Sequence, residues 1–188
     1  MQLIPSFRAS LLSGGLFLFA YFLGLVTHVL LFPPDKRRKL FSEPTYNKKD
    51  RRRWIIVLGR MAAITLVVIM FFSPLKLETT FFLIGLGIYL VGYALVMVSL
   101  VHYRRAPTDR MVTNGLYRVS RNPQWLGLVL VFTGTSVAVA GWLHVVLLAL
   151  FVTAYHFQIL LEEKICLRLY GEEYRAYMRA VPRYILFL

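Results

Sequence analysis

Long apolar blocks separated by short polar stretches dominate the chain. The blocks lie at about residues 11–32, 54–73, 80–103, 123–140 and 142–161. Each has close to the roughly 20 residues that a helix needs to cross about 30 Å of hydrocarbon. A segment that crosses lipid must satisfy its own backbone groups, which excludes open strands. The pattern therefore predicts an all-α, polytopic membrane helical bundle of about five transmembrane helices.

Turn signals and polar stretches divide these helices. Residues 33–53 are polar and are expected to form a loop, and Pro123 suits the first turn of the fourth helix. Gly141 is expected to make a tight turn between the fourth and fifth helices. Residues 162–180 continue the fifth helix as an amphipathic segment, which Gly171 breaks. No small-residue cleavage site follows the first block, so we expect a retained span there rather than a signal peptide.

Composition agrees with a membrane class. Hydrophobic residues make up 58% of the 188 residues, the mean hydropathy is +0.62, and 16% of residues are charged. A soluble domain averages about 25% charged residues. The net charge of +13 is typical of nucleic-acid binders, but here Lys and Arg lie between apolar blocks instead of covering a polar domain. No nucleic-acid partner is expected.

Cysteine and histidine usage argues against metal chemistry. Cys166 is the single cysteine, which excludes an intramolecular disulfide and a cysteine-based zinc cluster. The histidines are scattered with no pair at ligand spacing, and each is interpreted as a packed or interfacial side chain. They are His28, His102, His144 and His156. We expect no metal.

The distribution of positive charge predicts the orientation. Nine Lys or Arg lie at 33–53, five at 104–122 and five at 162–188, whereas the opposite side carries Arg8 and Lys76. The positive-inside rule then places the N-terminus outside and the C-terminus in the cytoplasm. The basic loop is also suited to contact with anionic membrane lipids.

Two polar clusters remain once the topology is explained. Both lie in the region 104–188, one at residues 114–127 and the other at Glu162 and Glu163. The hairpin of the fourth and fifth helices brings the start of one and the end of the other to the same membrane face. The clusters are therefore expected to be neighbours, and the active site to be cytoplasmic. Residues 1–103 hold the first three helices and the basic loop, and show no motif, so substrate choice is expected there.

Helical spacing gives the acidic residues two interpretations. Tyr155, Gln158 and Glu162 share one stripe of the fifth helix, and His156 and Glu163 share the adjacent stripe. Ionisable groups at the end of a span usually face a partner or a wet cavity. On periodicity alone, solvated carboxylates at a helix end explain the pattern equally well.

Several short motifs follow one another between residues 112 and 184. They are Gly115-Leu116-Tyr117-Arg118, Arg121-Asn122-Pro123-Gln124-Trp125-Leu126-Gly127, Glu162-Glu163, Gly171-Glu172-Glu173-Tyr174 and Val181-Pro182-Arg183-Tyr184. Their order and spacing resemble the isoprenylcysteine carboxyl methyltransferase and phospholipid methyltransferase superfamily. The resemblance implies a small integral membrane enzyme that uses S-adenosylmethionine.

The resemblance and the chemistry of the side chains suggest the site residues. The candidates for cofactor binding are Arg118, Arg121, Asn122, Pro123, Trp125, Leu126, Gly127, Glu162 and Glu163. The catalytic candidates are Arg121, Glu163 and Tyr117. Arginine suits a carboxylate and glutamate suits the cofactor's amino group, while Trp125 with its neighbours suits an apolar wall. Methyl transfer from a sulfonium needs alignment and charge placement rather than a metal. An amine or hydroxyl acceptor also needs a base, for which Glu163 or Tyr117 is the first candidate.

Two positions after Arg121 depart from the common pattern of the family, and Leu116 stands where that pattern has a proline. That pattern reads Arg-His-Pro with a Tyr two residues after the proline, where this chain has Asn122 and Trp125. Asparagine keeps hydrogen-bonding capacity but cannot shuttle a proton. Two alternatives stay open. One is an NADPH-dependent membrane reductase, although such proteins have about twice as many spans, and the other is a non-catalytic membrane subunit that keeps the fold.

The acceptor is expected to be an amphiphilic or lipid-like molecule. A site at the membrane face admits such a molecule sideways from the bilayer while the cofactor enters from the cytoplasm. Gly92, Gly127 and Gly134 are hypothesised to leave space for a chain between helices, although close helix packing explains them equally well. Oxygen, nitrogen and sulfur acceptors stay open, as does the oligomeric state.

Overall fold

The computed structural model of the protein describes residues 12–41, 53–107 and 110–185. These residues form six α-helices and one short 3₁₀-helix. The α-helices are α1 (Gly14–Leu30), α2 (Pro34–Phe41), α3 (Arg53–Phe72), α4 (Thr80–Arg105), α5 (Pro123–Val139) and α6 (Trp142–Ala180), and the 3₁₀-helix is Gly115–Arg118. The prediction of an all-α, polytopic membrane bundle is confirmed.

Five helices correspond to the five predicted spans. By length and composition, α3, α4 and α6 can each cross a membrane. The apolar helices α1 and α5 are shorter, at 17 residues each. Seventeen helical residues extend over about 26 Å, which is the lower end of the range for a span. The apolar blocks of the sequence thus located every one of these helices.

The loop predicted at 33–53 is wrong in its first part, because residues 34–41 form helix α2. Pro34 stands at the start of the helix, where its missing N–H costs nothing, and Asp35 follows in the first turn, where a negative charge is favourable. The side chain of Lys36 is buried, and its Nζ donates to the carbonyl oxygens of Tyr103, Arg104 and Ala106. These groups at the end of α4 need partners outside the helix. The rest of the loop, 42–52, lies outside the described residues.

Helices α4 and α5 are packed backbone to backbone through glycines. A Cβ added at Gly127 would stand 2.9 Å from the carbonyl oxygen of Gly92, and one at Gly85 would stand 2.5 Å from that of Gly134. No real side chain tolerates such contacts without movement of the backbone. The hypothesis that Gly92, Gly127 and Gly134 leave space for an acceptor chain is therefore wrong, because the facing helix fills that space.

Polar contacts close one end of the bundle. The N–H of Gly14 donates to the carbonyl of Ser73 at 2.8 Å, and that of Lys76 donates to the carbonyl of Ala138 at 3.1 Å. Ser73 Oγ and Nε2 of the fully buried His144 lie 3.0 Å apart. Lys76 therefore lies at this end, opposite the end at which Lys36 contacts α4. We call the end of the bundle with Lys36, Arg104 and Arg121 the basic end.

The two glycines predicted to interrupt the C-terminal helices differ in role. Gly171 has φ 53° and ψ −124° inside α6, so the predicted break is confirmed as a kink. At the turn between α5 and α6, the left-handed residue is Ala140, with φ 53°, while Gly141 has an extended backbone and caps α6. The prediction that Gly141 makes this turn is therefore wrong by one residue.

Candidate functional site

A cavity of about 210 Å³ lies at the basic end of the bundle. Its walls come from the end of α4, the segment leading to α5 and the distal half of α6. Five tyrosines contribute to its lining: Tyr103, Tyr117, Tyr170, Tyr174 and Tyr177. The charged side chains that line it include Lys36, Arg110, Arg121, Glu162 and Glu163. The two polar clusters predicted from the sequence are thus brought together around one space.

Glu163 is held by two arginines. Its side chain is buried, and Arg183 donates through Nε to one carboxylate oxygen at 3.0 Å and through Nη2 to the other at 2.7 Å. Nη1 of Arg121 lies 3.2 Å from the same carboxylate. The hydrogen bonds from Arg183 form the two-pronged contact that is the strongest pairing of these groups. Hydrogen bonding to Glu163 raises the pKa of Arg183, which stays charged.

The guanidinium of Arg121 keeps unsatisfied donors. Its side chain is only 7% exposed, and within the described part of the chain neither Nε nor Nη1 has a hydrogen-bond partner. The contact of Nη1 with Glu163 is an ion pair by distance without the direction of a hydrogen bond. A buried donor that makes no hydrogen bond costs about 1–3 kcal/mol, and more when it is charged. Arg121 also lines the cavity, where an anionic ligand would pair with its positive charge.

The C-terminal segment fixes Arg121 in place. The N–H of Arg121 donates to the carbonyl of Pro182 at 3.0 Å. Ser120 Oγ and Asn122 Nδ2 donate to the carbonyl of Arg183 at 3.1 Å and 3.2 Å. Asn122 thus links the chain ahead of α5 to the segment that follows α6. It also lines the cavity.

Glu162 presents a second carboxylate to the cavity. Nε2 of Gln158 donates to one of its oxygens at 2.9 Å. The two residues are one helical turn apart on α6, as the predicted stripe requires. Glu162 thus differs from Glu163, whose two oxygens both accept from Arg183.

Tyr117 is a buried side chain of the cavity lining and lies on the 3₁₀-helix. The helix begins at Gly115, whose φ of +58° favours glycine, and its Cβ position is blocked by the ring of His102. The hydroxyl of Tyr177 donates to the carbonyl of Tyr117 at 2.7 Å. Burial raises the pKa of the Tyr117 phenol, so this side chain keeps its proton at neutral pH.

Several predicted cofactor residues lie away from the cavity lining. Arg118 is exposed, and Pro123 begins α5. Trp125 stacks on Tyr155 with ring centroids 4.3 Å apart. Leu126 and Gly127 follow in α5, where Gly127 contacts α4. Cofactor contact by these five residues stays a prediction.

The structure also adds residues that the sequence reasoning did not assign to the site. Arg183 belonged to a recognised motif, but its contact with Glu163 needed the three-dimensional path of the last segment. Lys36 and Tyr103 reach the cavity because α2 packs against the end of α4. A buried lysine in a loop rich in Lys and Arg has no separate signal in a single sequence.

The fold and the cavity together define a polytopic helical membrane protein with a charged, tyrosine-lined site at one end. The family model for phospholipid methyltransferases matches residues 77–173, and the chain belongs to that family. A relative in Bradyrhizobium diazoefficiens, methanethiol S-methyltransferase 1, is 36% identical over 124 residues, which cover 65% of this chain and 42% of the relative. The chain thus spans less than half of that relative's length. The predicted resemblance is confirmed.

Proposed function

We propose that the protein is a membrane methyltransferase that uses S-adenosylmethionine and methylates an amphiphilic or lipid-like acceptor. The observation that carries the proposal is Arg121, a buried side chain that lines the cavity and makes no hydrogen bond through Nε or Nη1. A cofactor with a carboxylate and an amino group matches this donor and the nearby carboxylate of Glu162. The family match supports the same class of reaction.

The side chains present fit this cofactor in three respects. Arg121 would hold its carboxylate and Glu162 its amino group. The tyrosines of the cavity offer ring faces to the cationic sulfur and to the adenine. S-adenosylmethionine supplies a methyl group activated by that positive sulfur. The contribution of the protein is to align the two reactants and exclude water, which is the main requirement of a transfer without a covalent enzyme intermediate.

The cavity provides few groups suited to removing a proton. Both oxygens of Glu163 accept from Arg183, and burial raises the pKa of Tyr117. A base role for either residue is thereby disfavoured. An acceptor that is already an anion, such as a carboxylate or a thiolate, needs no base.

A second candidate acceptor is therefore a small thiol. The name of the Bradyrhizobium relative states that it methylates methanethiol. Initial rates with a long-chain thiol and with methanethiol, measured in detergent, distinguish the two candidates. A lipid-like acceptor site predicts the higher kcat/KM for the long chain.

Calorimetric titration of the purified protein with S-adenosylmethionine and with NADPH tests the cofactor. We expect binding of S-adenosylmethionine and no heat with NADPH. Binding of NADPH alone would support the reductase alternative instead. Binding of neither ligand would favour a non-catalytic membrane subunit.

The cavity is proposed to face the cytoplasm, with the N-terminus outside. The support is that Lys36, Arg104 and Arg121 lie at one end of the bundle and Lys76 at the other. Cysteines introduced at Asn47 and Lys76, in a variant with Cys166 replaced by alanine, test this orientation. An impermeant reagent is expected to label position 76, and not position 47, in intact cells. The reverse labelling would overturn the orientation.

A further inference from the structure

Glu163 and the two arginines beside it form a buried cluster with one positive charge in excess. Side-chain exposure is 7% for Glu163 and Arg121 and 20% for Arg183. Removing charges from water is costly unless each has partners in good geometry. Arg183 and Glu163 meet this requirement, while Arg121 does not. The cluster is therefore complete only when an anion reaches Arg121.

Arg121 and Arg183 compete for the carboxylate of Glu163, and the arginine that does not hold it stays available to a ligand. One carboxylate can accept a two-pronged hydrogen bond from one guanidinium at a time. In this structure Arg183 takes both oxygens, and Arg121 stays at ion-pair distance. If Arg183 were absent, Glu163 would be the nearest acceptor for Arg121, and a ligand would have to displace it.

We propose that Arg183 is a positioning residue that occupies Glu163 and thereby keeps the guanidinium of Arg121 available for the carboxylate of the cofactor. This inference rests on the proposed function. The backbone supports it, because the carbonyl of Arg183 accepts from Ser120 and Asn122, on either side of Arg121. The positions of the two arginines are thus fixed relative to each other.

Calorimetry on the full chain in detergent, with two ligands, tests the inference. S-adenosylmethionine carries the carboxylate, and 5′-methylthioadenosine lacks the whole amino-acid part. Arg183→Gln should weaken binding of S-adenosylmethionine about tenfold or more, and leave methylthioadenosine within about twofold of wild type. Arg175→Gln is the matched control, because Arg175 pairs with Glu172 on the exposed surface of α6.

The double variant Glu163→Gln/Arg183→Gln separates positioning from general support of the fold. Glu163→Gln removes the carboxylate that competes for Arg121. The double variant should therefore bind S-adenosylmethionine more tightly than Arg183→Gln alone. A structural role predicts that the double variant is no better than the single one. Arg183→Lys keeps the charge but cannot hold both oxygens, so a smaller selective loss is expected. If Arg183→Gln does not fold, the affinities of Arg183→Lys are compared with those of wild type instead.

The outcomes are distinct. The inference is supported if Arg183→Gln loses affinity for S-adenosylmethionine but not for methylthioadenosine, and if the double variant recovers affinity for S-adenosylmethionine. Wild-type affinity in Arg183→Gln, equal loss of both ligands, or no recovery in the double variant would overturn it while the proposed function stands. If the wild-type protein binds neither ligand, the proposed function fails and the inference fails with it.

Discussion

Helix α4 meets α5 and α6 in opposite ways. Along its apolar length it contacts α5 backbone to backbone, with Gly85 and Gly92 facing Gly134 and Gly127. At the basic end it faces the distal half of α6 across the cavity, where tyrosines and charged side chains line the space. Small residues thus close one side of α4, and large polar residues keep the other side open.

The difference explains where chemistry can occur. Close contact of helix backbones gains dispersion energy and leaves no room for a ligand. Tyrosines such as Tyr103 and Tyr170 line the cavity and would offer ring faces and hydroxyl groups to a ligand. The proposed lipid-like acceptor would therefore reach the cavity from the α6 side of α4, because the contact of α4 with α5 leaves no space.

The largest loss of stability is expected from a large side chain placed between α4 and α5. Gly134→Leu places a side chain against the backbone of Tyr89 and should destabilise the protein by about 3 kcal/mol, the upper part of the usual range for overpacking. Thermal unfolding in detergent measures this loss. Gly87→Leu is the matched control in α4, because no atom lies within 4 Å of its added Cβ. Equal stability of the two variants would contradict the description of this interface.

Removing a charge from the open side should affect binding more than folding. Arg121→Ala and Glu162→Ala are each expected to weaken binding of S-adenosylmethionine by about 1.5–3 kcal/mol, the value of a charge-assisted hydrogen bond. Calorimetry measures the affinity, and Lys164→Ala, on the exposed surface beside Glu162, serves as the control. Wild-type affinity in a variant lacking Arg121, Glu162 and Glu163 would refute the assignment of the site.

The smallest effect concerns Tyr117 and alkaline pH. Burial raises its pKa above the ordinary value of about 10, so its contribution to stability is complete below about pH 10 and is lost as the pH rises towards the folded pKa. Tyr117→Phe should therefore lose less stability than wild type between pH 9 and pH 11. Unfolding temperatures at these two pH values measure the difference. Identical pH dependence in both proteins would show that Tyr117 is not the buried phenol described.

The sequence predicted the spans because apolar length alone determines them. The five blocks located α1, α3, α4, α5 and α6, and Gly171 marked the kink in α6. Helix α2, at the start of the basic loop, was not predicted, because its charged residues form no apolar stripe. Lys36 finds its partners at the end of α4, a contact that depends on tertiary structure.

The site was predictable in part. The hairpin of α5 and α6 correctly implied that Arg121 and Glu163 are neighbours, and their side chains lie 3.2 Å apart. The pairing of Glu163 with Arg183 was not predictable, because it depends on how the chain turns back after α6. The roles of the predicted residues in catalysis stay predictions.

A crystal structure with bound S-adenosylhomocysteine tests the central claim most directly, since this product retains the carboxylate and amino group of the cofactor. We predict that its carboxylate lies within hydrogen-bonding distance of the guanidinium of Arg121, with Glu163 still held by Arg183. A ligand placed against Trp125 and Gly127, with no contact to Arg121, would contradict the account.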